Sequence, residues 1–413
     1  MTTRVLFSAF SCLPHRGSEP GVCWNWAVQA AYNNNLDVYV LTREKCRVKI
    51  EPIREELGLP NLSFIYVPSS AGLRKISIYL EYISWEYRAY RYVLRNFGPE
   101  DFDCLWHITF GNVFLPIWTY RLPYKFIWGP MGGGEYVPRR FYKEFGLRSR
   151  LSHAVKNVLI KTAKYNPIVQ NPAKAASLIL ARTEDTKAVI ARSCWQKVEL
   201  TLETRMDISS LPVSSVMLSK RAIEHNDGRI SVCYTGRLIA FKNVDKLVRA
   251  VVSLIDEGVP VSLHLIGEGP MLNDLQMVAG SHVDDGTIVF HGRLSREETL
   301  QTVASCEIFA FPSLKEGGTW SLMEAMALGR AIICFDGSGM HEMTTDECAL
   351  RVPMKEPGDV EGQFKAAIKK LIEDPGLRSK LGNNARRRVS EKYGWSEARD
   401  RIKDAVGKVC ADE

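Results

Sequence analysis

A chain of 413 residues is long for one hydrophobic core and natural for two domains. Apolar residues make up 46% and charged residues 24%, the proportions of a globular protein, and no apolar run reaches the roughly 18 residues of a membrane-spanning helix. The ten cysteines lie scattered without C-x-x-C pairs, which predicts reduced thiols in a cytoplasmic protein and neither a disulfide frame nor a zinc site.

The chain opens on an apolar stretch, Val5–Ala9, too soon broken for a signal peptide and read as a first buried strand. A Gly/Pro-rich loop from Leu13 to Gly21 and a helix over about Val22–Tyr32 follow, then a second strand at Asp37–Thr42. Further strands are expected at Ser63–Val67, Cys104–Ile108, Lys125–Trp128, Leu178–Leu180 and Lys197–Thr201, and a Tyr/Trp-rich amphipathic helix over roughly Leu73–Arg95. Trp128-Gly-Pro-Met-Gly-Gly-Gly-Glu135 is a Gly-rich loop after a strand. Three successive glycines are costly in a regular element, so Gly132, Gly133 and Gly134 suggest backbone lying close to a ligand, or else a lid without direct contact.

Net charge is +7, and between Arg139 and Lys164 eight Lys/Arg stand against one acid, Glu144. Leu147, Leu151, Val155, Val158 and Leu159 are interleaved with them. Two readings are open for this run: a surface for anionic lipid, or a solvated helix face. No RNA- or DNA-binding motif accompanies it, and nucleic acid is not an expected partner.

The pattern restarts at Ile230–Thr235 after a weakly patterned linker from about Thr204 to Gly228. A helix at Val244–Asp256, strands at Ser262–Ile266 and Thr287–Phe290, a helix at Arg296–Ser305, and strands at Ile308–Phe311 and Ala331–Phe335 complete a second α/β half. Alternating strands and helices predict parallel sheets with right-handed crossovers. Gly382-Asn-Asn384 reads as a break before a final helical region containing Arg386–Arg388 and Trp395.

The most informative stretch is Pro312-Ser-Leu-Lys-Glu316-Gly-Gly-Thr-Trp-Ser-Leu-Met-Glu324-Ala-Met-Ala-Leu-Gly329. A strand runs into a glycine loop that opens a helix, whose first-turn N–H groups lack intrahelical partners and suit phosphate or sugar oxygens. Gly317 and Gly318 let backbone approach a ligand, and a carboxylate such as Glu324 can accept from two vicinal hydroxyls. Earlier in the same half, Arg237 and Lys242 lie just past the end of the Ile230–Thr235 strand, where α/β sheets bind ligands. Two cations there could neutralise a diphosphate.

The E-x7-E pattern, the Pro-Ser before it and the Glu-Ala-Met-Ala-x-Gly after it resemble the donor site of the family 4 retaining glycosyltransferases. The resemblance implies the GT-B fold, with two Rossmann-like domains facing across a cleft and C-terminal helices returning to the first domain. The expected division is 1–205, 206–385 and 386–413. It further implies that Gly236, Arg237 and Lys242 hold the donor diphosphate. Glu324 would take the ribose, Glu316 a donor-sugar hydroxyl, and Gly317, Gly318 and Thr319 would line that pocket. Gly17 lies where the family contacts phosphate, although Ser18 replaces the usual second glycine, and the neighbouring Glu19 is unusual so near phosphates and is assigned to an acceptor hydroxyl. Arg293 and Leu294 fall where the base is contacted, and His107 aligns with a histidine that meets donor or acceptor. Gly132–Gly134 and Glu135 are the remaining acceptor candidates. Gly267-Glu-Gly-Pro270 is read as a strand-to-helix turn, and Gly337-Ser-Gly-Met-His341-Glu342 as a loop lining the donor pocket.

The implied activity moves a hexose-type sugar from a UDP- or GDP-sugar to a glycan or polyprenyl-diphosphate-linked acceptor, in exopolysaccharide or O-antigen assembly. No cofactor or metal is expected, and the implied setting is cytoplasmic, peripheral to the inner face of the membrane. Two alternatives stand beside it: a catalytically silent sugar-nucleotide-binding scaffold, and a GT-B sugar-nucleotide epimerase.

Overall fold

The computed structural model describes residues 2–211 and 228–411. Most of the expected linker, residues 212–227, therefore lies outside the described residues. The chain forms two compact units. The first gathers the described residues up to Gly134, Val158–Glu203 and the described residues from Trp395 onward. The second gathers Glu135–Asn157 and the described residues of Thr204–Gly394.

The first unit is built on β1 (Thr3–Ala9), β2 (Leu36–Arg43), β3 (Leu62–Val67), β4 (Cys104–Thr109), β5 (Lys125–Met131), β6 (Leu178–Ala181) and β7 (Val198–Leu200). They form one parallel sheet in the order β3-β2-β1-β4-β5-β6-β7. Strand side chains alternate between faces, and both faces are covered by helices. Val5, Phe7 and Ala9 of β1 accordingly enter one core, with Trp106 of β4, while Leu6 and Leu105 enter the other. The first core is closed by the helices Ser18–Ala31 and Trp395–Cys410; Ile402, Ala405, Val406 and Val409 of the latter are buried in it. Phe7, Trp26 and Trp106 pack ring on ring there, Trp106 lying 5.3 Å from Phe7 and 5.8 Å from Trp26.

On the opposite face, the expected single helix over Leu73–Arg95 is two, Ala71–Ile76 and Ile78–Asn96. Ser77 separates them: its backbone is extended, and its hydroxyl accepts from the Tyr79 N–H at 3.1 Å as an N-cap.

The second unit has β8 (Ile230–Thr235), β9 (Val261–Ile266), β10 (Ile288–Gly292), β11 (Ile308–Phe311), β12 (Ala331–Phe335) and β13 (Ala349–Val352). Its parallel order is β10-β9-β8-β11-β12-β13. The helix Val244–Asp256 buries Val244, Leu247, Val248, Val251 and Leu254, an apolar stripe at helical spacing. Strand β13 is absent from the sequence reading: it is four residues long, interrupted by Arg351, and sits at the sheet edge.

The expected break at Gly382-Asn-Asn384 is corrected by an unbroken helix, Pro375–Lys392. Gly382 is there for packing: a Cβ at this position would stand 2.2 Å from the Gly329 carbonyl oxygen. The chain leaves this helix before Trp395, where the last helix begins. Residues 135–157 reach the second unit through aromatic and ionic contacts: His153 lies 5.2 Å from the Phe145 ring and 6.2 Å from Phe241, and Lys246 pairs with Glu144 at 2.9 Å. All ten cysteines are free thiols.

Candidate functional site

The carboxyl ends of β8, β9 and β10 are stitched together by backbone. The Gly236 N–H donates to the Ile266 carbonyl at 3.0 Å, and the Gly267 N–H to the Gly292 carbonyl at 2.8 Å. Gly267 is at φ +138°, where a Cβ would stand 2.0 Å from the Gly236 oxygen; one at Gly269 would stand 2.2 Å from the Leu238 oxygen. The Gly-Glu-Gly-Pro turn is thus the buttress of the Arg237 loop, which explains its glycines without a ligand. Arg237 itself is exposed, next to Gly236 at φ +150°.

Lys242 ends a one-turn helix, Ala240–Lys242, and its side chain is 11% exposed. Its Nζ is ion-paired with Oε1 of Glu316, itself 14% exposed. The Ser313 hydroxyl donates to the same oxygen at 2.5 Å, and the ammonium lies 5.0 Å from the centre of the Phe311 ring. The Leu314 N–H donating to the Phe241 carbonyl at 2.9 Å locks the two loops in register. A cation and a carboxylate backed by aromatic rings interact more strongly with a ligand than they would in open water.

The loop carrying Glu316 is clamped from behind. Ser338 Oγ donates to the Glu316 carbonyl at 2.7 Å and accepts from the Glu316 N–H at 3.2 Å, and the Gly339 N–H reaches the same carbonyl at 2.8 Å. A Cβ at Gly339 would lie 1.9 Å from the Gly317 oxygen. The Gly337-Ser-Gly segment therefore supports the Glu316–Thr319 loop from the β12 side. Glu342 offers its backbone carbonyl to Arg388 at 3.2 Å and to the Tyr393 hydroxyl at 3.0 Å, both from the C-terminal end of the unit.

Glu324 lies on the helix Trp320–Ala327, which Thr319 precedes in extended conformation. Burial raises its carboxyl pKa, while Arg296, whose Nε sits 3.1 Å from Glu324 Oε1, pulls the other way. Arg296 is a partner of Glu324 that sequence reading missed; its signal was only its place in the Ser295–Glu298 capping box that starts the preceding helix. Arg293 is exposed and Leu294 half-buried in the loop after β10. Glu135 is buried in this same unit, and its charge acts on Lys315, the neighbour of Glu316. Burial and the nearby Lys156 hold the Lys315 ammonium down to about 8, against the opposing charges of Glu135 and Glu316.

The first-unit candidates have internal partners. His107 is 1% exposed on β4, with Nδ1 3.3 Å from the Ser8 hydroxyl and Nε2 3.5 Å from the Tyr82 hydroxyl; burial lowers its pKa. Glu19 accepts from the Gly111 N–H at 3.2 Å and pairs with Arg182 at 3.2 Å, so both carboxylate oxygens are engaged. Gly17 is exposed at the start of its helix, whereas Gly21 is the sterically demanded glycine, its Cβ position 1.8 Å from the Arg16 oxygen. Gly132 bridges to Gly111 and Val113 through backbone bonds of 2.8 and 2.9 Å. A Cβ at Gly133 would meet the Asn112 amide oxygen at 2.8 Å, and one at Gly134 the Asp185 carbonyl oxygen at 2.4 Å. Gly133 and Gly134 are thus places where protein approaches protein closely.

Residues 218–388 match the family model of glycosyl transferases group 1. An uncharacterized glycosyltransferase of Methanocaldococcus jannaschii is 30% identical over 189 residues, 45% of this chain and 47% of that protein. The N-acetylgalactosamine-N,N'-diacetylbacillosaminyl-diphospho-undecaprenol 4-alpha-N-acetylgalactosaminyltransferase of Campylobacter jejuni is 30% identical over 174 residues, 42% of this chain and 45% of that one. The chain thus spans about half the length of the curated relatives it matches. The solved sucrose-phosphate synthase of Thermosynechococcus elongatus shares the fold over 99% of both chains, with TM-score 0.65 and 14% identity. The architecture is that of the GT-B class, with two Rossmann-like parallel sheets.

Proposed function

We propose that this chain is a retaining glycosyltransferase that moves a hexose-type sugar from a UDP- or GDP-sugar to a lipid-linked glycan acceptor. The observation that carries the reading is the Lys242–Glu316 pair, backed by Phe311, with exposed Arg237 and half-buried Glu324 in the segments that follow β8 and β11. Arg237 and Lys242 neutralise the diphosphate. Glu324 accepts from the ribose hydroxyls, with Arg296 opposing the effect of burial on its carboxyl, and Glu316 accepts from a donor-sugar hydroxyl.

As the bond between anomeric carbon and phosphate oxygen breaks, the two cations stabilise the charge growing on the leaving oxygen. The acceptor hydroxyl attacks on the same face, and its proton passes to that oxygen. No separate base and no metal is required by this scheme. The undecaprenol-linked activity named for the Campylobacter jejuni relative supports a lipid-linked acceptor. The helix Leu147–Thr162 supports a membrane-side setting: Leu147, Leu151, Val155, Val158 and Leu159 are exposed among Arg148, Arg150, Lys156 and Lys161. No described helix is long and apolar enough to cross a membrane.

The test is turnover of UDP- and GDP-sugars with a polyprenyl-diphosphate oligosaccharide, followed by nucleotide release and by NMR of the product anomer. An α-linked product from an α-donor supports the reading, and an inverted anomer refutes retention. Donor binding without nucleotide release would favour the silent scaffold, and a new sugar nucleotide formed without acceptor would favour an epimerase.

A further inference from the structure

At the other sheet, the carboxyl ends of β2 and β3 gather a charge cluster that the donor site leaves unused. Glu81, fully buried in the first turn of the helix Ile78–Asn96, faces three cations. Arg43 at the end of β2 lies 3.2 Å from it, Lys45 2.5 Å, and Arg74 of the helix after β3 3.8 Å. Burial acts to raise the Glu81 carboxyl, but hydrogen bonds from Lys45 and Ser69 and the charge of Arg43 outweigh it, so the carboxylate stays ionised.

One negative charge against three positive leaves a surplus. A single Arg would satisfy the carboxylate; Arg74, beyond hydrogen-bonding distance, adds nothing to that task. The guanidinium of Arg43 is pinned 3.8 Å over the Phe10 ring, and its buried Nε has no hydrogen-bond partner among the described residues. Lys45 and Arg74 are about half-exposed, with Ile76, Tyr79 and Leu80 exposed beside them. Carboxyl ends of parallel strands are where such sheets take ligands.

We propose that Arg43, Lys45 and Arg74, held on Glu81, form an anion site for the phosphate of an amphiphilic acceptor, whose hydrocarbon lies against Ile76, Tyr79 and Leu80. This rests on the glycosyl-transfer reading and names where that reaction's acceptor is gripped. Glu81 acts as a positioning residue that fixes Arg43 and the Lys45 ammonium, while the half-exposed Lys45 and Arg74 side chains carry the surplus positive charge at the surface.

The experiment is calorimetric titration of the protein with dodecyl phosphate, inorganic phosphate and the neutral dodecyl maltoside. The same titrations are repeated on the K45Q/R74Q double variant, which keeps the buried Arg43–Glu81 pair and hence the fold. Dodecyl phosphate is expected to bind best, and the double variant to lose about ten-fold in affinity, the scale of two charge-assisted contacts at a partly wet site. Absence of dodecyl phosphate binding, or binding unchanged in the variant, overturns the site. Inorganic phosphate or dodecyl maltoside binding as tightly overturns the amphiphile. A UDP- or GDP-sugar titration on both proteins keeps the two claims apart. Donor binding without dodecyl phosphate binding defeats only the acceptor site; the reverse defeats only the donor assignment.

Discussion

Removing one partner of the Lys242–Glu316 pair exposes how much of the order of the Glu316 loop depends on it. Both side chains are nearly buried, at 11% and 14% exposure, and both loops are fixed by backbone bonds, so neither charge can swing out to water cheaply. Breaking a fully buried pair costs about 3–5 kcal/mol, because the surviving charge stays desolvated. Here Ser313 still donates to Glu316, and both ends keep some solvent, which brings the expected loss for Lys242→Met or Glu316→Gln to about 2–3 kcal/mol. The double variant K242M/E316Q leaves no orphan charge and should recover part of that loss, giving a coupling of about 1–2 kcal/mol. Urea unfolding of the four proteins without ligand measures it. Single variants as stable as the parent, or a double variant whose loss is the plain sum, would refute the claim that this pair is a buried unit.

His153 lies among Phe145, Tyr142 and Phe241, and burial with the charges of Lys315 and Lys156 lowers its pKa from 6.5 to about 4. The folded state thus prefers the neutral ring: its contribution is complete above pH 6.5 and lost as pH falls toward 4. The drop in urea midpoint between pH 7 and pH 4.5 should therefore be smaller in His153→Phe; an unchanged drop contradicts it. Gly339→Ala puts a methyl 1.9 Å from the Gly317 oxygen and should cost about 1–3 kcal/mol and weaken donor binding by displacing Glu316. Gly337→Ala meets only the flexible end of Met354, at 3.4 Å, and should be near neutral in the same titration.

The candidate site of the second unit was legible because its residues are local in sequence. Glu316 and Glu324 sit eight residues apart on one strand–loop–helix, and Arg237 and Lys242 follow one strand, so spacing alone placed them at one sheet edge. What spacing could not show is pairing across 74 residues, Lys242 with Glu316, or Arg296 reaching Glu324 from another helix. One glycine was misread. Gly382, read as a break, is explained instead by the neighbouring main chain of Gly329, and a glycine that clears a ligand looks the same in sequence as one that clears a carbonyl. The charge cluster on Glu81 draws on β2, a short helix and the next helix, and only the fold brings these together.

The most direct test of the donor site is a thermal-shift panel of UDP-, GDP- and ADP-sugars, with and without EDTA, on the parent protein and Arg237→Ala. The account predicts that one base is selected, that the stabilisation survives EDTA, and that it disappears in the variant. No stabilisation by any UDP- or GDP-sugar, or a shift undiminished in Arg237→Ala, would contradict it.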